Sequence, residues 1–393
     1  MTTALLLVLV TLVAVLLEEV KNVEGLQIGP LLSTCVDACQ RGCEEIRKVH
    51  EQSRGVGGDG DGDGGLKVNF KDTTLQDPRS ALTEADHASQ RAIVSSLRNV
   101  WGDKLRIIGE EEETLGGEEA SDTTTTPLRT DMFDDDLGDD TPEIDIDDIT
   151  IYVDPLDGTR EFVEGRLDSC TVLVGIAING ESVAGSIGIP FPKNGVEDDD
   201  NNAEGDEKES PTIVYGLVGL GSGVIGAPLT RGPFPLERNI DGIKKPRPHH
   251  ATGDSTEDVL IACKDAAIKK FGGSNVIYGG AGNKILAASL GEVTCCIQHK
   301  VGGPWDICAP EAIVKSMGAT ITDLFGKDIE IYYHPTKNPN PPDRCNERGF
   351  VVSAPGLQDN DQFHTKLINA INASPIVQQY RESLQPLDAE YMP

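Results

Sequence analysis

The segment Ile149-Thr150-Ile151-Tyr152-Val153-Asp154-Pro155-Leu156-Asp157-Gly158-Thr159 constrains this chain more than any other. Its β-branched and aromatic run predicts a strand that delivers Asp154 to a sheet edge. Pro155 and Gly158 are expected to turn the chain at once, and Thr159-Arg160-Glu161-Phe162-Val163 to open a helix. Asp154 and Asp157 then stand as hard oxygen ligands beside the backbone N–H groups of a helix start. Such a corner can hold a divalent metal and a phosphate together. Taken alone, the pattern D-x-x-D fits an acid at a strand end and an ordinary turn equally well.

Three further segments place acids at the ends of expected elements. Ile107-Ile108-Gly109-Glu110-Glu111 is a short apolar strand ending in Gly and acids. Leu82-Thr83-Glu84-Ala85-Asp86 puts an acid at a helix start, and Pro304-Trp305-Asp306-Ile307-Cys308-Ala309-Pro310-Glu311 puts another just before a helix. In this order the segments resemble the lithium-sensitive, magnesium-dependent phosphomonoesterases of the inositol monophosphatase superfamily. Within it the similarity is to the 3′(2′),5′-bisphosphate nucleotidases. Phe162-Val163-Glu164-Gly165, Tyr215-Gly216-Leu217-Val218-Gly219-Leu220-Gly221 and Gly279-Gly280-Ala281-Gly282-Asn283-Lys284 point the same way. The resemblance runs from about Leu31 to about Ile371.

The resemblance implies a layered α-β-α-β-α sandwich of the inositol monophosphatase and fructose-1,6-bisphosphatase type. Its site would lie between an N-terminal α+β part (26–190) and a C-terminal α/β part (212–385), joined by an acidic linker (191–211). It also implies two or three magnesium ions. Glu110, Asp154 and the carbonyl of Leu156 would hold one; Asp154, Asp157 and Asp306 would hold a second. Thr159 and Asp86 would orient and activate the attacking water. Gly158, Thr159, Gly280, Lys284 and Asp306 would meet the substrate. Each acid also has a local explanation as a turn former or helix cap. The activity implied is in-line hydrolysis of the 3′-phosphate of adenosine 3′,5′-bisphosphate to AMP and phosphate, with no phosphoenzyme. The sulfated form of that nucleotide would be a second substrate.

One segment departs from the pattern. Leu260-Ile261-Ala262-Cys263-Lys264-Asp265-Ala266, read as starting in a strand over Val259–Cys263, has Ala266 where the branch carries His and Lys264 where it carries Arg. That leaves an inositol polyphosphate 1-phosphatase-like preference open. A non-catalytic nucleotide-, magnesium- or lithium-binding regulator is the reading from another class.

Charge narrows the partners. Lys plus Arg against Asp plus Glu is 34 − 65 = −31 over 393 residues. Nonspecific binding to a nucleic-acid polymer needs the opposite sign. A small bisphosphorylated substrate is repelled at long range too, so a local cluster of cations must receive it. The nine cysteines show no paired framework. Cys35, Cys39 and Cys43 share one face of a helix expected over Gly29–His50, for small-residue packing or for a soft metal lacking a fourth ligand nearby.

The remaining expectations concern organisation. Ala4–Leu17 is an apolar run suited to a signal-peptide core or anchor, or to an N-terminal helix of the fold. Membrane contact is expected only if it anchors, and nothing in the pattern sets an oligomeric state. Asp59–Gly64 imitates half of a calcium loop, but Phe70 stands where the bidentate acid belongs. Glu111–Asp148 and Asp198–Glu209 read as solvated acidic insertions. A second helix is expected over Thr83–Arg98. Thr171–Ile178, Asn179-Gly180 and Val183–Ile189 predict a hairpin with a primed turn. Val276–Tyr278 reads as a strand, and Lys284–Leu290, Cys308–Ser316 and Gln362–Asn369 as helices.

Overall fold

The computed structural model describes residues 25–55, 68–70, 81–111, 128–133, 143–192, 210–229, 231, 237–240, 243–246, 248–300, 302–329, 347–357 and 360–384. The expectations for Ala4–Leu17, Asp59–Gly64 and Asp198–Glu209 lie outside them. Among the described residues no helix is long and apolar enough to cross a membrane.

Two helices form the first layer: α1 (Ile28–Gly55) and α2 (Glu84–Trp101). Leu31, Leu32, Cys35, Val36, Cys39, Cys43 and Ile46 follow helical spacing on α1 and are wholly buried. The cysteine stripe is therefore packing surface. A Cβ on Gly188 would collide with the Cys43 and Cys39 sulfurs, so a glycine lets the helix lie close on the sheet. Burial holds the Cys35 and Cys43 thiols protonated by raising their pKa.

The first sheet has six strands: β1 (Arg106–Gly109), β2 (Ile149–Asp157), β3 (Thr171–Ile178), β4 (Glu181–Ile189), β5 (Thr212–Leu217) and β6 (Gly221–Gly226). They lie in the order β6-β5-β4-β3-β2-β1, antiparallel except for the parallel pair β1 and β2. The β3–β4 turn has positive φ at Asn179 and Gly180, the primed hairpin expected of that dipeptide. The boundary expected at 191–211 falls inside this sheet, because β5 and β6 complete it beside β4.

The second sheet starts at His249. Its strands are β7 (His249–Thr252), β8 (Ser274–Ile277), β9 (Cys295–Gln298), β10 (Thr320–Thr322) and β11 (Phe350–Ser353), ordered β8-β7-β9-β11-β10. Helix α3 (Thr159–Val163) follows β2, and α4 (Asp258–Phe271) follows β7. Helices α5 (Ala281–Ser289) and α6 (Cys308–Ser316) lie between the sheets and contact both. Helix α4, with α7 (Asn360–Asn372) and α8 (Pro375–Ser383), covers the outer face of the second sheet. The layers run α-β-α-β-α, as the resemblance implies. The shared layer sits tight, since a Cβ on Gly175 or Gly185 would strike the backbone of Ala309 in α6.

Two expectations change. Val259–Cys263 is helical, not a strand, because Leu260, Cys263 and Ala267 bury one side of α4 at spacings of three and four. Ala266, set against a substrate-binding His, packs instead with that helix's apolar cluster. The acidic insertion is also less solvated than expected at its described residues. Glu111, Leu128, Met132 and Ile146 are buried, and Ile144–Asp145 pairs with Gly25–Leu26.

Candidate active site

Strand β2 is buried along its whole length. Its pairing with β3 runs in register to Asp154–Leu173, then breaks and resumes at Asp157–Thr171. Pro155 therefore does not turn the chain; it bulges the strand, where a residue without an N–H is tolerated. Ser89 of α2 donates its hydroxyl to the Pro155 carbonyl at 2.8 Å and fixes the bulge. The Leu156 N–H donates to Asp154 Oδ1 at 3.1 Å. The true turn comes at Gly158, with φ 89°, and the Thr159 hydroxyl then donates to the Leu156 carbonyl at 3.2 Å.

The bulge brings Asp154 and Asp157 to one place, and Asp306 joins them from the turn Pro304–Asp306 ahead of α6. One carboxylate oxygen from each lies within 4.8 Å of the others. Asp306 Oδ2 is held by the Gly303 N–H at 2.7 Å. Glu110 continues β1, its N–H donating to the Val153 carbonyl at 3.0 Å. Asp86 lies buried in the first turn of α2. Desolvation and the charges of Glu110, Asp157, Asp306 and Asp86 push the Asp154 carboxyl well above its ordinary pKa. Desolvation, Glu110 and Asp157 likewise push Asp306 up to about 8. Asp154 thus lies within electrostatic reach of Glu110, Asp157, Asp306 and Asp86.

A buried cluster of like charges is unfavourable unless protons or a cation neutralise it. The donors of Asp154, Asp157 and Asp306 are carboxylate oxygens, which suit hard divalent ions such as magnesium rather than soft ones. The residues fit such an ion.

The expected substrate anchor is placed differently. The N–H groups of Ala281 and Gly282, at the start of α5, donate to Asp157 Oδ1 and Oδ2, each at 2.8 Å. Gly280, with φ 69°, brings the turn so close that a Cβ there would approach Asp157 Oδ2. These amides thus brace a member of the acidic cluster. Lys284 is buried, and its Nζ donates to Gln298 Oε1 at 2.6 Å. Burial lowers its pKa against the opposing pull of Asp157, Glu161 and Asp306, so the ammonium lies within electrostatic reach of the cluster.

Some contributors have no sequence signal. Thr171 donates to Asp157 Oδ2 at 2.8 Å. Gln90 of α2 receives the Glu111 N–H at 3.1 Å and donates back to the Glu111 carbonyl, clamping the chain next to Glu110. Both are neutral residues inside regular elements, and only the register across the fold brings them to the acids.

The fold is a layered α-β-α-β-α sandwich carrying a buried acidic cluster suited to a divalent ion. Residues 30–375 match the model of the inositol monophosphatase family. The chain is 30% identical over 323 residues to a 3′(2′),5′-bisphosphate nucleotidase 1 of Dictyostelium discoideum, covering 80% of this chain and 91% of that one. It is 32% identical over 285 residues to the human protein of the same name, covering 71% and 81%. A solved structure of the extragenic suppressor protein SuhB from Bartonella henselae superposes with a TM-score of 0.55 over 87% of this chain and 98% of that one, at 16% identity. The chain belongs to the inositol monophosphatase family and is a phosphoric monoester hydrolase.

Proposed function

We propose that the chain hydrolyses the 3′-phosphate of adenosine 3′,5′-bisphosphate, giving AMP and phosphate, with magnesium held in the acidic cluster. The observation that carries this reading is the convergence of Asp154, Asp157 and Asp306 within 4.8 Å, in a family whose relatives include 3′(2′),5′-bisphosphate nucleotidases. The sulfated form of the nucleotide is a second substrate on the same reading.

Glu110, Asp154 and the Leu156 carbonyl would hold one ion; Asp154, Asp157 and Asp306 would hold another. Bound magnesium supplies Lewis-acid stabilisation of the phosphoryl charge and makes water a better nucleophile. The chain's own residues do the rest. The amides of Gly158 and Thr159 face the scissile phosphate. Thr159 Oγ1 orients the attacking water and passes its proton toward the Asp86 carboxylate. Lys284 offsets negative charge at the bottom of the site. Water displaces the ribose 3′-oxygen in line, so no covalent intermediate forms, and the leaving oxygen takes its proton from solvent while the proton received by Asp86 returns to solvent.

The test is phosphate release from a panel of bisphosphorylated nucleotides and inositol phosphates, with and without magnesium and lithium. Adenosine 3′,5′-bisphosphate should turn over fastest, require magnesium and be inhibited by lithium. Faster release from an inositol polyphosphate would transfer the substrate assignment. Nucleotide binding with no phosphate release in magnesium would make the protein a regulator instead.

A further inference from the structure

Arg160 stands between two features that the proposed reaction leaves unused. It follows Thr159 directly in α3, beside the acidic cluster. Its Nε donates to Glu164 Oε1 at 2.8 Å, and its Nη1 is paired with Asp254, 94 residues on. Asp254 lies in the loop after β7 and lines a cavity of about 150 Å³ together with Thr252, Ser255, Leu260, Lys264 and Ile277. The ion pair therefore sets a guanidinium from the first half of the fold at the edge of a cavity in the second half.

The contents of that cavity wall are mixed. Leu260 and Ile277 are apolar, Thr252 and Ser255 bring hydroxyls, and Lys264 brings a second cation. The carboxylate of Asp254 is the anion now closing the edge. Both partners keep solvent access, with 28% of the Arg160 side chain and 44% of the Asp254 side chain exposed. A pair so exposed contributes little to stability. A Cβ added at neighbouring Gly253 would meet nothing within 4 Å, so open space adjoins the loop that carries Asp254.

A phosphate carries more charge than a carboxylate and meets a guanidinium through two parallel hydrogen bonds. In a chain of net charge −31, a second phosphate also needs a cation of its own. We infer that the cavity beside Arg160 takes the second, non-scissile phosphate of a bisphosphorylated substrate, and that Asp254 is a latch holding the guanidinium until that phosphate displaces it. This rests on the reading above that the substrate carries two phosphates. It adds the residue that recognises the second one and the carboxylate that competes with it.

The experiment is steady-state phosphate release from adenosine 3′,5′-bisphosphate and from adenosine 3′-monophosphate, with wild type, R160Q, R160K and D254N. The readout is the ratio of kcat/KM for the two substrates. R160Q should lower the preference for the bisphosphate at least tenfold, through KM, and R160K should restore part of it. D254N should move the ratio the other way, raising the preference several-fold by removing the competing anion. A purely structural ion pair predicts that R160Q and D254N act in the same direction on both substrates, and that result overturns the inference. Melting temperatures of R160K and D254N near that of wild type keep the comparison among folded proteins. Turnover of the bisphosphate with an unchanged ratio in every variant removes the latch alone. A wild type that releases phosphate from the monophosphate but not the bisphosphate removes the substrate reading and the latch together.

Discussion

The carboxylate of Asp157 accepts the backbone N–H of Ala281 at 2.8 Å, across 124 residues of chain. Its other oxygen takes the Gly282 N–H and the Thr171 hydroxyl, each at 2.8 Å. Asp157 is thus a member of the acidic cluster and the cap of α5, the helix shared by both sheets. A carboxylate is favoured at that end by the unpaired N–H groups and the helix dipole. The cluster and the layer packing are joined through one side chain.

Asp157→Asn should therefore damage the fold as well as the activity. An amide keeps one acceptor oxygen and turns an NH2 toward a donor. The loss of a charge-assisted hydrogen bond is worth about 1.5–3 kcal/mol. Urea unfolding of the metal-free protein would read it as a lower midpoint at unchanged slope. A midpoint equal to wild type would show that Asp157 does not brace α5.

Asp154→Asn should separate the two properties. Its backbone-facing bond, from the Leu156 N–H to Oδ1 at 3.1 Å, survives in the amide. Turnover should nearly vanish while the fold stays intact; near-normal activity from the folded variant would sink its assignment to the metal.

The same residue sets the pH behaviour of the metal-free protein. Asp154 and Asp306 have folded pKa values raised above the ordinary carboxylate value, Asp306 to about 8. A raised value means that the folded state binds protons the unfolded state has already released. Their contribution is therefore least unfavourable at low pH and grows more unfavourable as pH rises toward about 8. Without metal, thermal stability should fall between pH 6 and 8.5, and magnesium should recover most of it. Asp154→Asn should flatten that profile; a slope identical to wild type would place the effect elsewhere.

Much of this was legible in the order of the residues. Asn179-Gly180 encodes its own turn through two positive φ values, and the α1 stripe encodes its burial by spacing. The acids around Asp154 stand out because strand ends and helix starts bring them to one edge. What escaped depends on partners remote in sequence. Pro155 bulges rather than turns because Ser89 fixes its carbonyl from another helix. Val259-Leu260-Ile261 has the composition of a strand, and only burial on one side reveals the helix. The start of α5 has the glycines of a phosphate loop, yet its amides are already engaged by Asp157.

Gln90 offers a test away from the acids themselves. It holds both backbone groups of Glu111, and a Cβ on Gly109 would strike its amide. Gln90→Ala frees the segment that carries Glu110 without removing any charge. The expected result is a several-fold higher magnesium concentration for half-maximal activity, with kcat largely recovered at saturating magnesium. A loss of kcat that added magnesium does not repair would mean that the clamp serves the fold at large.

Thr159 separates a hydroxyl's chemistry from its bulk. Its Oγ1 donates to the Leu156 carbonyl at 3.2 Å, a long bond that a better acceptor can replace. Thr159→Ser keeps the hydroxyl, while Thr159→Val keeps the shape and removes it. If the hydroxyl orients water and relays its proton toward Asp86, Thr159→Ser should retain most turnover. Thr159→Val should then lose on the order of 10²–10⁴ in kcat, the usual size of a general acid–base contribution. Substrate KM should change little in both. Single-turnover phosphate release at saturating magnesium makes the comparison, because it reports the chemical step alone. Equal rates for the two variants would remove Thr159 from proton transfer and leave it only the task of closing the turn after Asp157.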